Sequence, residues 1–203
     1  MLAQLLALIV PPLCVSCGAH AGRAAPLCRG CRARMRPVGE HAGCWAAFSY
    51  EGPAGALVRE LKFRGRLGLA DLMAAQIAAH APAGLLRGAL VPVPVHPRHR
   101  RRRGVDHARA LAVALARRTG LPLADCLVRA GDPRPQVGRG RRARMRGPLG
   151  TIAVRSEAAV PDVALLIDDV VTTGTTLAAC AGVLRAAGTA QIRAIAFART
   201  SAR

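Results

Sequence analysis

The chain has 203 residues, of which 52% are hydrophobic, and a formal net charge of +19. This length suits one domain of ordinary size with a small appendage. No apolar run reaches the roughly 20 residues that a membrane-spanning helix needs, so the composition excludes a membrane-inserted protein.

The positive charge is concentrated in one quarter of the chain. Residues 98–146 contain 15 Arg and 3 Asp, which gives +12. Such a segment favours polyanions or phosphate-rich small molecules as partners. The competing explanation is a GC-rich coding sequence, since Ala, Arg, Gly and Pro dominate the composition.

The apolar N-terminal stretch, residues 1–13, superficially resembles a secretory signal. It has no basic residue ahead of it and no small-x-small cleavage site, and two prolines end it. We therefore expect a short helix packed on the domain, and a cytoplasmic protein.

Four of the seven cysteines form two Cys-x-x-Cys pairs, Cys14 with Cys17 and Cys28 with Cys31. Two such turns complete a tetrahedral shell of thiolates around one zinc ion. The pattern predicts a zinc-binding module over residues 1–44 that takes its folding energy from the metal. An iron–sulfur cluster and redox-active thiols are the alternatives, and disulfides are disfavoured in a cytosolic chain.

Strands and helices alternate along residues 45–203. Hydrophobic periodicity and Gly or Pro breaks predict strands at 45–50, 89–95, 163–167 and 190–198, helices at 54–63, 67–81, 106–119 and 177–187, and a mobile loop at 131–150. Cys126 and Cys180 are predicted to be core thiols on apolar helical faces. This order predicts an α/β domain whose parallel sheet is flanked by helices, with a ligand outside the carboxyl ends of the strands.

The most informative segment is residues 163–176, in which an apolar strand ends in two adjacent carboxylates, Asp168 and Asp169. A glycine and four hydroxyl side chains follow: Thr172, Thr173, Gly174, Thr175 and Thr176. A strand, loop and helix in this order aim backbone N–H groups at a phosphate, and carboxylates accept hydrogen bonds from ribose hydroxyls. The segment therefore predicts a phosphoribose site. The alternative is an ordinary turn whose Asp and Thr residues cap a helix.

Three places are candidates for the cations that such a ligand needs. The turn at 98–103 and the loop at 134–146 are rich in arginine. The alternative for each is a solvated surface that contacts no ligand. Lys62 is the only lysine beside 29 arginines. Its retention indicates a need for a compact ammonium, unless it survived by chance.

Residues 168–176 closely resemble the phosphoribosyl-pyrophosphate (PRPP) motif of type I phosphoribosyltransferases. Nearly the whole chain is similar to the ComF family. Besides this motif, the similarity rests on the cysteine pairs, residues 61–65, Val-Pro-Val-Pro at 91–94, Arg103-Gly104 and Gln136. Members of that family are phosphoribosyltransferase-like proteins linked to DNA uptake in competent bacteria. One departure is Val-Asp-His at 105–107, where the family usually has Phe-Asn-Gln.

The resemblance implies a type I phosphoribosyltransferase-like fold with an N-terminal zinc-ribbon-like module. It implies that residues 168–176 bind PRPP together with Mg²⁺, and that Lys62 and Arg103 contact the pyrophosphate as catalytic residues. The acceptor of a phosphoribosyl transfer in nucleotide metabolism is not identified by the sequence. The alternative function is that of a non-enzymatic accessory factor of the DNA-uptake machinery, which binds single-stranded DNA through its arginines. The basic segment contains no aromatic residue on which a base could stack, which argues against this mode of binding.

Overall fold

The computed structural model describes residues 13–22, 25–95, 106–129 and 152–201. The expected helix at 1–13, the arginine turn with Arg103, and the loop at 131–150 fall wholly or almost wholly outside the described residues. The elements are, in chain order, α1 (Arg29–Ala33), β1 (Pro37–His41), β2 (Cys44–Ser49), α2 (Pro53–Arg64), α3 (Gly68–His80), β3 (Ala89–Pro92), α4 (His107–Thr119), β4 (Leu127–Arg129), β5 (Ile152–Val154), β6 (Val163–Val171), α5 (Thr175–Ala186) and β7 (Gln191–Arg199).

The central sheet has the strand order β1-β2-β7-β6-β3. β2, β7, β6 and β3 run parallel, and β1 adds an antiparallel edge through a hairpin with β2. Helices cover both faces of the sheet, so the predicted α/β architecture with a mostly parallel sheet is confirmed. Because the parallel strands share one carboxyl edge, every loop that follows them opens on the same side of the domain.

The two faces of the sheet bury separate apolar clusters because successive strand residues point in opposite directions. Leu165 of β6 packs with α2, α3 and α4, whereas its neighbour Leu166 packs with α5. The antiparallel ribbon of β4 and β5 completes the second cluster. This alternation determines which side of the sheet each side chain of β6 faces.

Local signals account for the ends of the helices. The Asp106 carboxylate accepts a hydrogen bond from the Arg109 N–H at 3.0 Å at the start of α4, and Gly120 ends that helix with φ +72°. Gly65 ends α2 in the same left-handed conformation. Pro92 is tolerated in β3 because this strand forms an edge of the sheet.

The structure departs from the sequence predictions in several elements, including the strands β4 and β5, which the sequence did not predict. β6 continues to Val171, so Asp168 and Asp169 lie inside the strand rather than after it. The sequence predicted no strand before residue 45, whereas the structure has β1, which begins at Pro37. Cys126 is buried, as expected, but it precedes β4 and does not lie on a helix.

The cysteine segment packs directly on the sheet domain. Leu27 and Cys31 belong to the same buried cluster as Leu57 of α2 and Ile195 of β7. In the part of the chain that the structure describes, none of the helices has both the length and the apolar character needed to cross a bilayer.

Candidate functional site

The four paired cysteines converge on one point. The sulfurs of Cys14, Cys17, Cys28 and Cys31 all lie within 4.8 Å of one another. The Cys17 and Cys28 sulfurs are 3.7 Å apart, and a tetrahedral zinc site with Zn–S bonds of about 2.3 Å requires a sulfur–sulfur separation of about 3.8 Å. The cluster therefore fits a structural zinc ion.

The backbone around the cluster is built as two turns that face each other. The Gly18 N–H donates to the Cys14 carbonyl at 2.9 Å, and the Cys31 N–H donates to the Cys28 sulfur at 3.4 Å at the start of α1. Arg34 donates a hydrogen bond to the Cys31 sulfur at 3.0 Å. Burial opposes ionisation of Cys31, but hydrogen bonds from Arg34, Cys17 and Ser16 together outweigh it, so the pKa of this thiol is lowered. Thiolate is the form that binds a metal.

At the carboxyl edge of the sheet, the side chains of the two adjacent acids of β6 point to opposite faces of the sheet. Asp169 points toward α2 and is only 4% exposed, whereas Asp168 points toward α5 and is partly exposed. The Asp168 Oδ1 atom accepts a hydrogen bond from the Asp169 N–H at 2.8 Å. Desolvation, followed by the charge of Asp169, raises the pKa of Asp168 well above its usual value.

Lys62 lies against the acid pair. Its Nζ atom is 2.9 Å from Asp169 Oδ1, and its side chain is 24% exposed. In α2 the residues Ala54, Leu57, Val58 and Leu61 form the buried stripe. Lys62 lies one turn after Val58, at the margin of that stripe, so its ammonium reaches the end of β6. The structure thus brings Lys62 into the site through an ion pair that the sequence did not reveal.

Only one of the two oxygens of the Asp169 carboxylate has a polar partner among the described residues. Its Oδ2 atom is buried and has no hydrogen-bond partner among the described residues. A buried carboxylate oxygen without a donor carries a desolvation cost of about 1–3 kcal/mol or more, since charged groups cost more. Within the described part of the chain, no protein group offsets this cost.

The threonine loop follows directly and opens α5. Gly174 has φ +74° and precedes the first residue of the helix. The Thr173 and Thr175 hydroxyl oxygens lie 2.7 Å apart, and the Thr175 N–H donates to Thr173 Oγ1 at 3.4 Å. A cavity of about 40 Å³ is lined by Asp168 and residues 170–177. Its wall includes the N-terminal end of α5, where backbone N–H groups have no partner within the helix.

A larger cavity of about 440 Å³ shares residues 172–174 with this small one. It runs between α5 and the turn that joins β1 to β2, over small side chains such as Ala178 and Ala181. Its lining includes Arg185 and Arg199 and no acidic residue among the described residues. A volume of this size lies within the range of ligand pockets. Sequence reasoning missed this cavity because its lining comes from elements far apart in the chain.

The structure brings together most of the residues that the sequence singled out for the phosphoribose site. The acid pair, the threonine loop and Lys62 meet at one edge of the sheet. Arg103, the second catalytic candidate, lies outside the described residues.

Comparison with known proteins identifies the N-terminal part of the chain. Residues 5–50 match the family described as the double zinc ribbon domain. The match contains all four converging cysteines and the β1–β2 hairpin. No curated protein matches the chain. The chain therefore carries an N-terminal zinc ribbon, with a four-cysteine cluster suited to structural zinc, on a mixed α/β domain.

Proposed function

We propose that this chain is a phosphoribosyltransferase-type protein, similar to the ComF family, that binds PRPP or a nucleotide at the carboxyl edge of its sheet. The observation that carries the proposal is the joining of two half-sites. The acid pair lies just before a loop of threonines that begins a helix, and Asp168 lines the same cavity as that loop. The proposal divides the chain into a zinc module over residues 1–44 and a phosphoribosyltransferase-like domain over 45–203.

The two half-sites suit the two halves of a phosphoribose. The loop at 172–176 offers hydroxyl and backbone donors to a 5′-phosphate, and the start of α5 adds a favourable dipole. In the proposal, the carboxylates of Asp168 and Asp169 accept hydrogen bonds from the ribose hydroxyls. The larger cavity behind the loop supplies space for the remainder of the ligand.

Transfer from PRPP places negative charge on the departing pyrophosphate while the ribose becomes cationic. Mg²⁺ bound together with PRPP neutralises part of that charge. In our proposal Asp169 holds the ribose in place, the threonine loop holds its phosphate, and Arg103 contacts the pyrophosphate. The acceptor of the phosphoribosyl group follows from none of the described residues.

A calorimetric titration with PRPP in the presence of Mg²⁺ tests this proposal. We expect saturable binding of one PRPP per chain. Thr173→Val removes one hydroxyl from the loop and should weaken this binding, whereas Thr119→Val, at the end of α4, should leave it unchanged. A folded protein that gives no saturable binding would show that the loop is a relic of ancestry.

We expect Lys62→Arg to weaken PRPP binding, or to abolish whatever turnover is found, although it preserves the charge. The Lys62 ammonium lies against a carboxylate whose side chain is 5% exposed, and a planar guanidinium is too broad to take the same place. Calorimetry with PRPP and Mg²⁺ measures the effect. Arg59→Lys, an exposed position of the same helix, is the matched control. Wild-type affinity in Lys62→Arg would mean that the lysine was retained by chance.

A second candidate function is binding of single-stranded DNA. The zinc ribbon match and the net charge of +19 favour it, because a cationic surface gains affinity for nucleic acid by releasing counterions. In this case the phosphoribose site would sense a nucleotide, and the protein would act as an accessory factor of DNA uptake.

Substitution of Arg141, Arg142 and Arg144 by Gln should flatten the salt dependence of single-strand binding. Each phosphate neutralised contributes a slope of about −0.7 in a plot of log affinity against log salt concentration. Fluorescence anisotropy with an oligonucleotide of mixed sequence measures the slope, and zinc content should not change. Undetectable or salt-independent binding by the parent protein would attribute the charge to genome composition.

A further inference from the structure

Cys31 is the most deeply buried member of the four-cysteine cluster. It is 0% exposed and belongs to the same apolar cluster as Leu27 and Leu57, whereas Cys17 is exposed. Because Cys31 is not accessible to solvent, the hydrogen bonds to its sulfur come from the protein rather than from water. The residues that donate these bonds therefore determine how the sulfur is oriented toward a metal.

Arg34 is the charged donor to this sulfur, and the backbone holds it in place. Its N–H donates to the Gly30 and Cys31 carbonyls, each at 3.2 Å, where α1 ends. From this position the guanidinium donates to the Cys31 sulfur at 3.0 Å. Within the described ranges, no other cationic side chain contacts a sulfur of the cluster. Arg32 lies in the same helix and is also exposed, but it makes no such contact.

The charge of a zinc-loaded cluster makes this contact important. Four thiolates outweigh the positive charge of one Zn²⁺ ion, so the loaded cluster is an anion that is partly buried against the sheet domain. Burial of a charge is unfavourable unless an opposite charge or a hydrogen-bond donor compensates it. A guanidinium that donates to a thiolate supplies both, because a hydrogen bond between charged groups is stronger than one between neutral groups.

We propose that Arg34 is a positioning residue of the zinc site, which holds the Cys31 sulfur in its ligating orientation and offsets the negative charge of the cluster. Tight retention of zinc then depends on an arginine that belongs to neither Cys-x-x-Cys pair. The inference concerns the zinc ribbon alone and is independent of PRPP and of nucleic acid. It gives one arginine of this arginine-rich chain a role that composition does not explain.

Competition with a chromophoric chelator measures the zinc affinity of each variant. Arg34→Gln removes the charge and should weaken zinc binding by about 10–100-fold, the usual effect of losing an outer-shell partner. Arg34→Lys restores a charged donor and should recover most of the loss. Arg32→Gln is the matched control, because it removes the same charge from the same helix and should bind zinc like wild type.

The spectrum of the Co²⁺-substituted protein separates this role from a merely structural one. The thiolate-to-cobalt charge-transfer band depends on the electron density at the sulfurs, which a hydrogen bond withdraws. Loss of the Arg34 bond should therefore move the band of Arg34→Gln to longer wavelength. The bands of Arg34→Lys and Arg32→Gln should stay close to that of wild type.

Wild-type zinc affinity in Arg34→Gln, or an equal loss in Arg32→Gln, would overturn the proposal. So would a weaker affinity with an unchanged cobalt band, since that combination indicates an effect on folding alone. Circular dichroism establishes that the sheet domain of each variant is folded. If neither Arg34 variant takes up metal at any zinc concentration, Arg34 is required for folding itself, and the proposal is likewise rejected.

Discussion

Cys28→Ser should release the zinc ion and unfold the cysteine segment. Four sulfurs within 4.8 Å hold this short segment together, and Cys28 both completes the set and accepts the Cys31 N–H at the start of α1. Structural zinc sites of this kind contribute about 10–16 kcal/mol at pH 7, more than a small apolar cluster can replace. Elemental analysis of protein purified without added metal measures the loss, and limited proteolysis reports the unfolding.

Cys126→Ser is the matched control for this variant. Cys126 is a buried thiol outside the cluster, so the same exchange of sulfur for oxygen should leave zinc content unchanged. The sheet domain should remain folded in Cys28→Ser, with a lower melting temperature because Leu27 and Cys31 pack against its core. A wild-type protein that is fully folded without metal would refute the zinc assignment.

Local patterns in the sequence were enough to predict most of the helices and strands. α4 was predicted at 106–119 from an apolar stripe that Gly120 follows. The structure has α4 over His107–Thr119, with Asp106 as its N-cap and Gly120 at its end. The cysteine cluster was also predictable, since two Cys-x-x-Cys turns bring their thiolates together whatever the rest of the fold does. In both cases the determining residues lie within a few positions of one another.

Features that depend on distant contacts were not predictable. The β4–β5 ribbon pairs short segments with little alternation, separated by residues of no periodicity. The extension of β6 through Asp168 and Asp169 is determined by its pairing with β7, as in the register of Asp168 with Ala196. The Lys62–Asp169 ion pair joins two elements far apart in the chain. Its only sign in the sequence was the isolation of one lysine among arginines.

The two acids of β6 lie in different environments. Asp169 faces α2 and is paired with Lys62, and its other oxygen is buried without a hydrogen-bond partner among the described residues. Asp168 faces the threonine loop and has a raised pKa, because desolvation and its charged neighbour disfavour its ionised form. Loss of both carboxyl groups therefore removes the charged acceptor of the ribose half-site and alters the wall of the phosphate half-site.

Asp168→Asn together with Asp169→Asn should lower the affinity for PRPP, or for a nucleotide, at least about tenfold. A charge-assisted hydrogen bond contributes about 1.5–3 kcal/mol, and about 1.4 kcal/mol corresponds to a tenfold change. Calorimetry with Mg²⁺ present measures the affinity. The control is Asp71→Asn with Asp162→Asn, two exposed acids outside the site, which should bind like the parent. Unchanged affinity in the first variant, with its zinc and fold intact, would separate residues 168–176 from ligand binding altogether.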